Sequence, residues 1–377
     1  MKHTGKALAL FLALTLAASL LAIPSFAAYV PETPSADGWD GETYSVPVIS
    51  DREITIATAE ELAWVSAHSR GADTDNADIP AAFSGYTLNV TADVDLNHQA
   101  WTPIDNFHGT FKGVPADAGE GGYVTISNFT VSAAGDYAGL FGNINFGESA
   151  GTPVFQNICL TNVELTGERY LGALVGQGYT ARITNCHAKD VTVTGNQYAG
   201  GLVGSGYCTM TDCTVDGAVI TATKKTTTVD GDNVGGMIGF LGEGNITLSG
   251  CTVSNSSVTA TRQAGGVAGV ILYGNSVVDC RAVNTQVHTT NTTSQFLARI
   301  TKSGPAAGGI VGEATCGGNT AITISGCTVD SDCAITSAAG TYPVGGILGY
   351  AKNYSAAALT MSGNTYPNGY VEARTAY

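Results

Sequence analysis

The sequence predicts an all-β, right-handed parallel β-helix (β-solenoid) with a small helix-containing N-terminal cap. Three observations carry that expectation: a glycine-rich, charge-poor composition, a glycine-closed block repeated seven times, and three β-branched segments in each repeat. Among 377 residues, 49 are Gly, 44% are hydrophobic and only 12% are charged. That is too little charge for a solvated disordered chain and too much glycine for a helical bundle.

The recurring block sets two apolar residues before a glycine, as in Gly201-Leu202-Val203-Gly204 and Gly309-Ile310-Val311-Gly312. Its closing glycines are Gly142, Gly176, Gly204, Gly239, Gly269, Gly312 and Gly349, spaced by 34, 28, 35, 30, 43 and 37 residues. A second block lies between them at 126–129, 155–158, 183–186, 210–213, 248–251, 277–280 and 324–327, with a weaker copy at 361–364. A looser third strand follows each, as in Val191-Thr192-Val193-Thr194. Three short alternating strands with glycine at the corners make one coil of a parallel solenoid. Stacked coils rise by about 4.8 Å, so equivalent residues form ladders. Insertions at 221–233 and 287–305 explain the unequal spacing, because corners tolerate them and strands do not. A propeller needs about four strands per repeat, and the blocks show three.

Ahead of the repeats, Thr58-Ala59-Glu60-Glu61 is a capping box opening a short helix, with Leu62, Ala63 and Val65 on its buried side. Gly71 ends it. Extended segments follow at 87–96 and around 107–111. A solenoid end exposes unpaired backbone and core side chains, so a cap is physically required.

The chain divides into a signal peptide (1–27), a linker (28–50), the cap with a first coil (51–125) and the repeats (126–377). Lys2 and Lys6, an apolar run over 7–22 and Ser25-Phe26-Ala27 form a secretory signal with cleavage expected after Ala27. No later apolar stretch is long enough to span a bilayer, so a secreted or cell-surface monomer is expected. Removing Lys2 and Lys6 leaves 14 basic against 31 acidic residues, 14 − 31 = −17. Such a polyanion repels nucleic acid and anionic lipid.

A series of motifs occurs in order: Trp39-Asp40-Gly41, Ile56-Ala57-Thr58-Ala59-Glu60-Glu61-Leu62-Ala63, Ala92-Asp93-Val94-Asp95-Leu96, Trp101-Thr102-Pro103-Ile104 and Phe107-His108-Gly109-Thr110-Phe111. With the glycine-closed blocks, it resembles bacterial cell-surface proteins with GLUG-motif repeats over about residues 39–350. The resemblance implies an exported, repeat-rich, adhesin-like protein. One departure stands out: where that family continues after Phe111 with Asp-Gly-Asn-Gly, this chain has Lys112-Gly113 and a Gly-rich insertion through Gly122.

The candidate chemistry is sparse. Cys186, Cys213, Cys251, Cys280 and Cys327 share one repeat position and are expected to stack inward as small apolar filler. Neighbouring Cα atoms would lie within disulfide range, but parallel Cβ vectors would strain the bond. Cys208 and Cys316 fall three coils apart, on the order of 14 Å. No Cys-x-x-Cys or Cys/His cluster suggests zinc. The acidic runs at 73–78 and 230–233 offer oxygen ligands but lack the glycine and downstream Glu of an EF-hand, so both read as solvated loops. Asp93 and Asp95 read as structural.

Many parallel β-helices cleave polysaccharides, which needs a base or facing carboxylates. Here the basic residues never recur at one ladder position, and His187 and His288 have no acidic or nucleophilic partner at equivalent positions. The expectation is a non-catalytic protein without cofactor, against the rivals of a polysaccharide lyase or hydrolase and a purely structural spacer. The tyrosines stand out. Tyr170 and Tyr198 each precede their block glycine by six residues, and Tyr179 and Tyr207 each follow it by three. Each pair should stack in adjacent coils. Two readings follow: a ladder that stiffens the coils, or a row of exposed ring faces that binds a host or matrix glycan or protein.

Overall fold

The computed structural model describes residues 33–116, 122–132, 135–144, 151–223, 232–291, 305–317, 320–338, 342–353 and 358–366. The expected signal peptide, residues 230–231 of the second acidic run and the chain's last residues lie outside these. The described chain is a parallel β-solenoid. Residues 182–206 make one coil: Arg182–Thr184 in a first sheet, His187–Gly195 in a second, Ala199–Gly200 in a third and Val203–Gly206 in a fourth. Each pairs in parallel with its counterpart in the following coil. The four sheets hold 11, 12, 5 and 7 described strands.

Three strands per coil is therefore an undercount. The missing strand is two or three residues of glycine and small side chains, too short to show alternation. In the next coil the second-sheet run splits into Thr214–Asp216 and Val219–Ala222 around Gly217.

One repeat was also misaligned by its sequence. Ile126 pairs with Leu160 and Phe129 with Val163, both within the second sheet. The second-block column instead holds Phe111, which pairs with Leu88 on one side and Phe155 on the other. From there the column runs through Ile183, Met210, Leu248, Val277 and Ile324 to Met361. The Gly-rich insertion before Val124 separates Phe111 from the rest of its block and hides the match. Parallel pairing starts earlier still, between Glu53–Ile56 and Thr87–Val90.

The corners are left-handed. Between the first and second sheets, Asn157, Asn185, Asp212, Gly250, Asp279, Gly326 and Gly363 all have positive φ. A second such column inside the second sheet comprises Asn128, Asn162, Asp190, Gly217, Asn255 and Asn284. Asn, Asp and Gly are the residues that tolerate this region. The amides also join coils: Asn185 Nδ2 donates to Asn157 Oδ1 at 3.0 Å, and Asn162 Nδ2 to Asn128 Oδ1 at 3.0 Å.

Inside, the first coils are filled by aromatics, with Phe107, Phe111 and Phe155 each about 5 Å from the Phe141 ring (5.0, 5.1 and 4.9 Å). Later coils are filled chiefly by Val, Ile, Leu, Met, Ala and Cys. All five laddered cysteines are fully buried free thiols. Their Sγ atoms donate to carbonyls of the preceding coil, as Cys213 does to Ile183 at 3.7 Å and Cys280 to Leu248 at 3.6 Å. Burial pushes the Cys186 thiol up to about 12, which leaves it uncharged filler rather than a nucleophile.

The cap is the helix Ala59–Ser69, inserted between the strands Glu53–Ile56 and Thr87–Val90. Thr58 and Glu61 form the expected capping box, and Leu62, Ala63 and Val65 are buried. Trp64 is buried too, and it organises the loop that follows. Asp73 accepts from Trp64 Nε1 and from Asn76 Nδ2, both at 2.8 Å, and faces His68 Nδ1 at 3.3 Å. His68 Nε2 donates to the Ile79 carbonyl at 3.0 Å. The run at 73–78 is thus no solvated loop at its head, because Asp73 ties it to the helix. Antiparallel pairing of Val48–Ser50 with Glu53–Ile56 closes this end of the first sheet.

Burial works to raise the Asp73 carboxyl, but hydrogen bonds from Asn76, the Asp75 amide, Trp64 and His68 outweigh it and hold it below its usual value. A depressed carboxyl stabilises the fold above its unfolded value and loses that contribution as pH falls through its folded one. The cap should therefore loosen first in acid. Asp73→Asn should cost about 1–3 kcal/mol near neutrality and flatten the acid limb below about pH 4. Calorimetry across that range checks it; an unchanged acid limb would contradict the anchor.

Candidate functional site

The tyrosine column sits at the corner leading into the third sheet. Leu171 bridges Ala138 on one side and Ala199 on the other, which brings the preceding residues Tyr137, Tyr170 and Tyr198 into register. Their rings stack at 5.3 Å and 13° for Tyr137–Tyr170 and at 5.0 Å and 7° for Tyr170–Tyr198. Phe240 extends the column with its edge toward Tyr198, 5.6 Å away at 68°. Tyr170 and Tyr198 have φ of 60° and 44°, a region that costs a bulky side chain on the order of 1–3 kcal/mol. The stack helps offset that strain. Arg169 covers the Tyr170 ring at 5.5 Å and is itself held by Asp136, Nε to Oδ1 at 3.0 Å.

The other pair, Tyr179 and Tyr207, stacks less evenly at 4.9 Å and 31°. Tyr207 lies against Gly242 of the next coil, where a Cβ would come within 2.7 Å of the ring. All four tyrosines expected from spacing therefore stand in two pairs on adjacent coils. Burial raises the phenols of Tyr170 and Tyr207, so their hydroxyls remain protonated donors.

One part of the expectation changes. Near-parallel rings about 5 Å apart cover each other's faces, so the column presents edges and hydroxyls outward rather than a row of open faces. Spacing along the sequence identifies the column but says nothing of ring tilt.

His187 and His288 have neutral partners, but contrary to expectation each faces a threonine hydroxyl at the equivalent position of the next coil. His187 contacts Thr214 Oγ1 at 2.7 Å and Asn185 Oδ1 at 3.0 Å, and His288 contacts Thr336 Oγ1 at 2.8 Å. Burial lowers both imidazoles. Among the described residues, no group of three or more His, Cys, Asp or Glu is placed to hold a metal ion, and no helix is long and apolar enough to cross a membrane.

Sequence reasoning missed a buried polar seam. Asp232, Arg262, Gln263 and Glu313 are 1%, 5%, 3% and 4% exposed. Asp232 is therefore not part of a solvated loop. Asn233 and Gln263 pair in the third sheet and occupy the Tyr198 position of the next two coils. The available signal was the polar pair Arg262-Gln263 at a position that elsewhere carries Tyr.

The stacked coils, laddered corners and aromatic column define a parallel β-solenoid of tandem repeats. The GLUG motif matches residues 167–194 and 195–221, so the chain carries two copies of that repeat. These two repeats contain all four candidate tyrosines. No curated protein matches the chain. Among solved structures it is similar to a "putative immunoglobulin A1 protease" from Bacteroides ovatus, at 18% identity over 86% of this chain and 81% of that one, with a TM-score of 0.47.

Proposed function

We propose that this is an exported, non-catalytic surface-interaction protein, released by cleavage after Ala27, that contacts a host or matrix glycan or protein along its aromatic column. The observation that supports this most is the half-exposed strip of Tyr137, Tyr170, Tyr198 and Phe240. Tyrosine edges with their hydroxyls offer apolar contact and hydrogen bonding together, the combination found where proteins meet polar partners. A sugar presents the matching mixture of C–H and O–H groups.

The test is a glycan-array screen of the mature protein followed by two double variants. Tyr170→Ala with Tyr198→Ala should weaken binding roughly ten- to a hundred-fold, at about 0.5–1.5 kcal/mol for each lost contact. Tyr170→Phe with Tyr198→Phe keeps the stack and removes only the hydroxyls, so melting should hold while binding falls. Unchanged affinity in both, for a glycan the wild type binds, would leave the column a structural stiffener. Cleavage of a polysaccharide by the purified chain would replace this reading with an enzymatic one.

A further inference from the structure

The seam gathers buried titratable side chains in a solenoid interior that is mostly apolar. It runs across three coils at one corner: Asp232 just before the third-sheet strand Asn233–Gly235, Arg262 just before and Gln263 at the start of Gln263–Gly265, and Glu313 on the fourth-sheet strand Val311–Cys316 of the following coil. Asp232 accepts from the Thr261 amide through Oδ2, and its Oδ1 has no hydrogen-bond partner among the described residues. Glu313 accepts from Gln263 Nε2 at 3.1 Å and from Thr315 Oγ1 at 2.9 Å. The charged groups facing these carboxyls are Arg262, toward both, and Lys352, toward Glu313. A buried carboxylate with an orphan oxygen is costly, whereas the protonated acid is not.

We propose that this seam is a pH-operated latch on the solenoid corner, closed while Asp232 and Glu313 hold their protons and loosened when they ionise. Burial raises both carboxyls, Asp232 to about 7 against a model-compound value of 3.8, with hydrogen bonds from Thr261 and the charge of Arg262 opposing. A carboxyl raised in the folded state stabilises it fully below its unfolded value and loses that stabilisation as pH rises through the folded one. The latch therefore weakens between about pH 4 and pH 7 and stays weak above. This is opposite to the cap, where Asp73 fails in acid.

Native-state amide exchange on the mature chain at about pH 5 and about pH 8, corrected for chemical exchange, tests the latch. Opening linked to one such carboxyl rises about tenfold per pH unit within the window. Residues 233–241 and 263–272 should lose at least tenfold in protection at the higher pH, while 154–166 should keep theirs. Asp232→Asn with Glu313→Gln supplies neutral isosteres and should abolish the difference; Asp232→Asn alone serves if the pair does not fold. An equal change along the whole chain, no change at the seam, or a pH response that survives in the variant would overturn the latch.

Discussion

Leu202→Asp should unfold the coils around it while leaving distant coils protected. Leu202 belongs to an inward column with Leu174 and Met237, all three fully buried. Its backbone amide donates to the Met237 carbonyl and that of Leu174 to Leu202, so the side chain is flanked by coils on both sides. An aspartate there has no solvent and no donor, and burying it costs several kcal/mol even if it takes up a proton. Solenoid stability is close to a sum of repeats and nearest-neighbour interfaces, so the damage should spread only to adjacent coils. Exchange protection should collapse over about 171–241 and persist over 276–289. Ile310→Asp should move the damaged region toward the C-terminal coils. Uniform loss of protection along the chain in both variants would argue against independent coils.

How much of this was readable follows from what spacing can encode. Seven closing glycines gave the coils and their fourth-sheet register, and the five cysteines gave a true inward column. The capping box and the tyrosine pairs were local signals and stood where expected. The left-handed corners have an equally local signal, since Asn185, Asp212, Gly250, Asp279 and Gly326 each precede a laddered cysteine. The third-sheet strand was not readable, because Ala199-Gly200 carries no alternation. The seam was hidden for another reason. Asp232 and Glu313 are 81 residues apart in sequence (313 − 232), and polar residues read as surface until the fold closes over them. Ring tilt in the tyrosine column depends on packing between coils, which no repeat spacing reports.

The glycine just before each later block makes a sharp demand on the backbone, and Gly265→Ala should destabilise the chain strongly. A Cβ at Gly265 would overlap the carbonyl oxygen of Ala268 and lie 2.7 Å from both the Ala268 carbonyl carbon and the Gly312 amide of the following coil. No φ above zero is involved; the constraint is close approach of backbone to backbone, within the turn and between coils. None of these atoms is the end of a flexible side chain, so relief requires the third-sheet strand to move away from the fourth. Overpacking of a filled interior costs about 1–3 kcal/mol, and an obstruction made of hydrogen-bonded backbone belongs at the upper end. Gly308 and Gly235 meet the same obstruction at Val311 and Ile238, so their alanine variants should behave alike. Gly135 is the control, exposed and with no heavy atom within 4 Å of an added Cβ. Gly135→Ala should be neutral or gain about 0.4–1 kcal/mol through the unfolded chain. Denaturant melts of Gly265→Ala and Gly135→Ala should therefore shift apart. Coincident midpoints would mean that the corner has room to relax, and that the glycine preceding each later block is there for something other than close backbone approach.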